Sequence, residues 1–271
     1  MNRESQPVIE ARRLPIQEGI SVMRQPGYPP CELPSEVVER IPWLRRRLLS
    51  WFERNGRSFP WRDPDRTPYE VVVAEILLQR TAAGGVARAY AGFIERYPSW
   101  TTLARAPCEG LEKALRPFGL WRQKALVFHH LAESIEERGG AIPRTRAELE
   151  RLRGIGPYTA SAVLAIVYGR AEPLLDVNMA RLLGRLLGSR GSPGAGIKGL
   201  LHAFALRLVS GKRSLDVNWA VLDFGALVCR ARRPRCPECP LRTRCRSFMQ
   251  SQPHPIPTAG ALSGSRSAGG R

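Results

Sequence analysis

Four of the six cysteines in this 271-residue chain, Cys229, Cys236, Cys239 and Cys245, fall within one short C-terminal segment. Thiolates at that density in a reducing compartment point to a metal site rather than a disulfide framework. Zinc is the usual occupant of paired C-x2-C knuckles, but only Cys236 and Cys239 form such a pair. Cys229 lies well before the pair and Cys245 well after it. That asymmetric loop could instead wrap an iron–sulfur cubane held by four cysteines. Spacing alone leaves both chemistries open. The intervening Arg230-Ala231-Arg232-Arg233-Pro234-Arg235 would present a basic loop to a phosphate backbone. Cys31 and Cys108 stand alone and read as ordinary free cysteines.

A second signal is Leu152-Arg153-Gly154-Ile155-Gly156-Pro157-Tyr158-Thr159-Ala160, set between two helical stretches. Gly154 can close the first helix in a left-handed conformation, and Pro157 suits the first turn of the second. The turn would present backbone N–H groups of Gly154, Ile155 and Gly156 at a helix N-terminus, a seat for a phosphate.

Two carboxylates complete the set. Glu75 is the single charge in Val71-Val72-Val73-Ala74-Glu75-Ile76-Leu77-Leu78. Burial would raise its pKa and make it a general acid. Because the run is apolar nearly all round, periodicity does not exclude a helix that exposes one Glu. Asp176, opening Asp176-Val177-Asn178, would serve equally as a helix cap. Leu215-Asp216-Val217-Asn218 echoes its wording, and Asp216 reads as the cap of the helix leading to Cys229.

The C-x6-C-x2-C-x5-C run and the L-x-G-I-G-x-x-T-A turn, in that family's chain order, resemble the helix-hairpin-helix DNA glycosylase superfamily of the endonuclease III and adenine-mismatch type. The resemblance runs from about Phe59 to Phe248. It implies a 4Fe–4S cluster on Cys229, Cys236, Cys239 and Cys245, and double-stranded DNA as partner. It also implies that Asp176 is the catalytic aspartate that stabilises a cationic sugar, with Glu75 as acid. Asn178 follows as a DNA-binding residue. Gln79 and Arg80, ending the Glu75 helix, would fill the gap left by a flipped base. Tyr158 stands where the endonuclease III branch has its Schiff-base lysine. A tyrosine forms no imine, so the expected enzyme hydrolyses the N-glycosidic bond without strand cleavage.

For the excised base, Phe59-Pro60-Trp61-Arg62 resembles both the adenine branch and the thymine/uracil–guanine mismatch branch. Gln79-Arg80-Thr81, Gly119-Leu120-Trp121-Arg122 and Asp176-Val177-Asn178 depart from adenine-branch wording, and the chain ends soon after the cysteines, without the adenine enzymes' extra domain. The expected target is thymine or uracil opposite guanine. Adenine opposite guanine or oxidised guanine is the alternative. A non-catalytic DNA-binding or redox-sensing protein would explain the cysteines and charge, but not Glu75 and Asp176 in family positions.

The elements that must position these residues read as all-α. Apolar residues recur at helical spacing in Val37–Phe52, Tyr69–Leu78, Val86–Ile94, Ala125–Ile135, Ala160–Tyr168, Met179–Leu187, Leu200–Val209 and Trp219–Val228. Two lobes with a DNA-binding cleft between them are expected. Residues 66–174 would form the helix-hairpin-helix lobe, and 34–65 with 175–248 the iron–sulfur lobe. Residues 1–33 and 249–271, rich in Pro, Gly, Ser and charge, read as a disordered arm and tail. The formal net charge of +18 suits a polyanionic partner. No apolar run reaches bilayer length and the N-terminus lacks an apolar signal region. A cytoplasmic, nucleoid-associated monomer is expected.

Overall fold

The computed structural model describes residues 31–188 and 195–251; the expected arm and tail fall mostly on residues 1–30 and 252–271, outside the described residues. Among the described residues the fold is all-helical. The α-helices are α1 (Ser35–Val38), α2 (Ile41–Asn55), α3 (Pro68–Leu78), α4 (Ala83–Arg96), α5 (Trp100–Ala104), α6 (Cys108–Leu115), α7 (Trp121–Glu136), α8 (Arg146–Arg151), α9 (Pro157–Ile166), α10 (Val177–Leu187), α11 (Ala195–Val209), α12 (Ser214–Leu227) and α13 (Arg246–Ser251).

All eight expected segments are helical, with two adjustments. The first is interrupted at Glu39 and Arg40, where Pro42 opens α2 in the position that needs no N–H. The chain stays helical to Ser251, three residues past the expected end of order. The short helices α5, α6 and α8 carry too few apolar repeats to show a period. Caps start two of them: Ser99 accepts from the Thr102 N–H and Thr145 from that of Glu148.

Two large apolar clusters form. One gathers α3 to α9, with Phe93, Leu103, Phe118, Phe128 and Leu164 at its centre. The other gathers α2 and α10 to α12, where Trp51 meets Phe224 edge-on with ring centroids 5.0 Å apart. Phe59 and Trp61 stack at 4.8 Å and pack into the first cluster, although both precede residue 66. A small cluster of Ala162, Ala165 and Leu174 against Leu222 joins the two. The buried Asn218 reinforces that seam, accepting from the Leu174 N–H at 2.8 Å and donating to the Glu172 carbonyl at 2.9 Å.

Asp216 is not a cap. Arg213 holds the N-cap position of α12, and Asp216 lies in the first turn, paired with Arg213 at 2.8 Å. The two Asp-Val-Asn segments therefore differ in structure: the first caps a helix, and the second lies inside one.

Candidate active site and cysteine loop

α3 and α9 are both buried nearly all round, and they pack against each other. α3 starts in a full capping box, Thr67 with Glu70, behind Pro68. This helix carries Glu75 inside, only 7% exposed. Burial raises its carboxyl to about 7, against a smaller downward pull from Arg62. No hydrogen bond to its carboxyl is made by the described residues.

Gly156 is the N-cap of α9 and Pro157 opens it, which sets Tyr158 in the first turn. The Tyr158 phenol is held well above its ordinary pKa. Loss of hydration comes first, then the negative charges of Glu75 and Asp176. Asp176 is the N-cap of α10, its Oδ1 accepting from the N–H of Asn178 at 2.9 Å and of Met179 at 2.8 Å. Burial raises its pKa despite these bonds and those from the Asn178 amide. Glu75, Tyr158 and Asp176 therefore come from three helices to one electrostatically coupled group.

Arg62, which the sequence reading passed over as part of a motif, stands beside this group. Its guanidinium lies against the rings of Phe59 and Trp219 at 5.0 and 5.3 Å. It forks onto the fully buried Asp223 at 2.9 and 3.0 Å, and Arg57 binds the same carboxylate. Burial pushes Asp223 up, but the bonds from Arg62 and Arg57 outweigh it and leave its pKa below the ordinary value. The available signal was Asp223 itself, the one charge in the otherwise apolar Trp219–Leu227 half of α12.

The hairpin turn is built around Gly154, whose φ of +86° is left-handed and where a Cβ would lie 2.3 Å from Val127. Ile155 is 4% exposed and its N–H is donated to the Leu152 carbonyl. This corrects the expectation that it offers a free N–H: it anchors the turn. The first turn of α9 has no side-chain cap, which leaves its N–H groups without a side-chain acceptor. Gln79 is not a free helix end either, since its amide donates to the Gly154 carbonyl at 2.9 Å. Beyond it Arg80 is exposed with a φ of +56°. Leu120, left-handed at +49° and 41% exposed, is the N-cap of α7 and carries no signal of its own in the sequence.

All four cysteines of the C-terminal loop line one mainly apolar cavity of about 200 Å³, with Leu182, Val228 and Leu241. Burial pushes the Cys239 thiol up to about 11, and the charges of Cys229, Cys245 and Cys236 add to this. Among the described residues no three Cys, His, Asp or Glu side chains converge on one point fit for a single ion. α10 ties this loop to the carboxylates. Arg181 donates to the Asn178 Oδ1 at 2.8 Å and to the Cys229 carbonyl at 2.9 Å, and Arg185 donates to the Cys229 sulfur at 3.3 Å. Cys31 and Cys108 are free, and Cys108 lies 3.6 Å from His129. Among the described residues, no helix is long and apolar enough to cross a membrane.

The family model for HhH-GPD superfamily base excision DNA repair proteins matches residues 73–197. The chain is 39% identical over 213 residues to a thymine-DNA glycosylase of Aeropyrum pernix, covering 76% of this chain and 94% of the relative. It is 33% identical to the human adenine DNA glycosylase over 84% of this chain, spanning 43% of that longer protein. The solved structure of a thermostable thymine-DNA glycosylase superposes with a TM-score of 0.72 at 29% identity, covering 78% of this chain and 98% of the other. These comparisons favour the enzyme over the non-catalytic sensor. With the carboxylates, the hairpin and the cysteine loop in one fold, the chain belongs to the HhH-GPD superfamily of base excision DNA repair proteins and is a DNA glycosylase.

Proposed function

We propose that this glycosylase removes thymine or uracil opposite guanine by hydrolysis, leaving an abasic site and an intact strand. The observation that carries the reaction type is the coupled group of Glu75, Tyr158 and Asp176, which contains two carboxyls and a phenol but no amine. Breaking an N-glycosidic bond develops positive charge on the sugar and negative charge on the leaving base. Glu75, held near neutrality, donates its proton to the departing base. Asp176, fixed by its own helix terminus, stabilises the cationic sugar and orients the incoming water. Tyr158 has no nucleophilic nitrogen, so no imine with the sugar forms.

DNA reaches this group by its backbone first. The N–H groups of Gly154 and Gly156, in the turn at the uncapped N-terminus of α9, suit a phosphate. Asn178, beside Asp176, faces the same strand. Arg80 and Leu120, exposed on neighbouring turns in left-handed conformations, enter the duplex and fill the stack when the base leaves it; apolar wedges do this at unstacked steps. Gln79 braces that rim through Gly154.

Cys229, Cys236, Cys239 and Cys245 would hold a 4Fe–4S cluster. A shared apolar cavity with a thiol from each of four positions fits a multi-atom cluster. When bound, the cluster supplies a rigid core for the Arg230–Arg235 loop. Purified protein is expected to be yellow-brown, absorbing near ~400 nm as iron–sulfur proteins do. Stoichiometric zinc without iron after anaerobic purification would contradict this.

The pyrimidine target rests on the identity to thymine-DNA glycosylase over nearly the whole of that relative. The human adenine enzyme's 33% identity keeps excision of adenine opposite guanine or oxidised guanine as the second reading. Single-turnover rates on G·T, G·U, A·G and A·oxidised-guanine duplexes decide between them. Faster release from the first two is expected, and faster release of adenine would replace the proposal.

A further inference from the structure

Lys124 is one of only four lysines in a chain whose cations are otherwise arginine. It is 3% exposed, and its position on α7 matches the buried face formed by Phe128, Leu131 and Ile135. Its ammonium donates to the carbonyls of Leu77 at 2.9 Å, Gln79 at 3.0 Å and Phe118 at 3.0 Å, and to the Thr81 hydroxyl at 2.8 Å. The Thr81 hydroxyl in turn donates a hydrogen bond to the Phe118 carbonyl. A compact point charge with three rotatable donors suits this knot of converging acceptors.

One acceptor, the Leu77 carbonyl, belongs to the last turn of α3, and the other three come from two turns. The Gln79 carbonyl and the Thr81 hydroxyl bracket Arg80 at the end of α3. The Phe118 carbonyl precedes Gly119 and Leu120 at the start of α7. Arg80, Gly119 and Leu120 all have positive φ, between +49° and +65°. Such conformations persist in non-glycine residues only where the surroundings over-determine them. Here one buried ammonium touches both turns.

We propose that Lys124 is the positioning residue of the stack-opening rim, locking the Arg80 turn and the Leu120 turn together so that both side chains enter the duplex as one unit. The inference rests on reading Arg80 and Leu120 as stack-filling residues. A merely structural lysine would lower stability and slow every substrate alike. A rim-positioning lysine matters most when the stack must be opened, and matters less when the base is already outside it.

The test compares each variant with wild type on a G·T duplex and on the same thymine extruded in a single-nucleotide bulge, with thermal unfolding measured alongside. For Lys124→Met the expected result is a loss of about 10²-fold on the duplex, the scale of a 1 Å misplacement, and a several-fold smaller loss on the bulge. Equal losses on both substrates, or none on either, would overturn the proposal. If Lys124→Met does not fold, Thr81→Val removes one arm of the knot and should give the same selectivity at smaller size; equal or absent losses there count against it in the same way. Arg80→Ala and Leu120→Ala separate the layers. Selective duplex losses in these two without one in the knot variants would sink the role of Lys124 alone. No selectivity in any of them would remove the rim reading and the role of Lys124 with it.

Discussion

Two buried carboxylates feel the charge of Arg62, and they have opposite chemistry. Asp223 is fully buried, yet it takes bonds from Arg62 and Arg57 and its pKa falls below the ordinary range. Glu75 is nearly as buried, has no hydrogen bond from the described residues, and is raised to about 7. Burial acts upward on both; what differs is the number of donors. The fold thus keeps one carboxylate charged as a structural anchor and leaves the other able to hold a proton at neutral pH. Arg62 serves both, saturating the first while restraining the second.

The largest expected effect comes from breaking the contrast at Glu75. Glu75→Gln should slow base release by about 10²- to 10⁴-fold, the usual contribution of general acid catalysis, while DNA binding persists. A variant within a few-fold of wild type would end the acid assignment. In the wild type, the required form is the protonated one, so the single-turnover rate should fall as pH rises through about 7.

Removing the anchor comes next. Asp223→Asn leaves Arg62 without its buried counter-charge, and breaking such a pair costs about 3 kcal/mol or more. Arg57 is about a third exposed and can turn to water, which limits its share. The uncompensated Arg62 would then pull Glu75 downward, so the alkaline limb of the rate profile should move to lower pH. An unchanged limb with reduced stability would show that Asp223 acts on the fold alone.

The smallest effect concerns stability at the acid itself. The folded carboxyl of Glu75 binds its proton more tightly than the unfolded one between about 4.5 and about 7. The stability this gives is complete below that window and is lost as pH rises through it. Glu75→Gln should therefore stabilise the chain by up to about 3 kcal/mol at pH above 7, with the gain shrinking towards pH 5. Urea unfolding at the two pH values measures it. A constant difference would mean that Glu75 is not held protonated by burial.

Much of this was legible in the residues. The cysteine spacing, the Gly-Ile-Gly turn and the eight long helices are local features, set by periodicity and backbone chemistry. Glu75 was legible as a charge in an apolar run, but whether it faced in or out was not. The structure answers that by wrapping α3 with α9 and α4. The Asp223 anchor was not legible, because Arg57 and Arg62 lie more than 150 positions away in the chain. Lys124 sat in view on the apolar stripe of α7, where a charge needs a partner, but three of its four acceptors come from turns with no period and the fourth from the end of another helix. Asp216 misled because identical wording can cap one helix and lie within another.

The central claim is that base removal here is hydrolytic and runs through Glu75 and Asp176 with no amine. The most direct measurement follows one labelled G·T duplex under single turnover, splitting the products before and after alkali and adding borohydride in parallel. The account predicts strand breaks only after alkali, no trapped protein–DNA adduct, and loss of all product in Asp176→Asn while DNA binding persists. Breaks without alkali together with a trapped adduct, or turnover by Asp176→Asn, would contradict it.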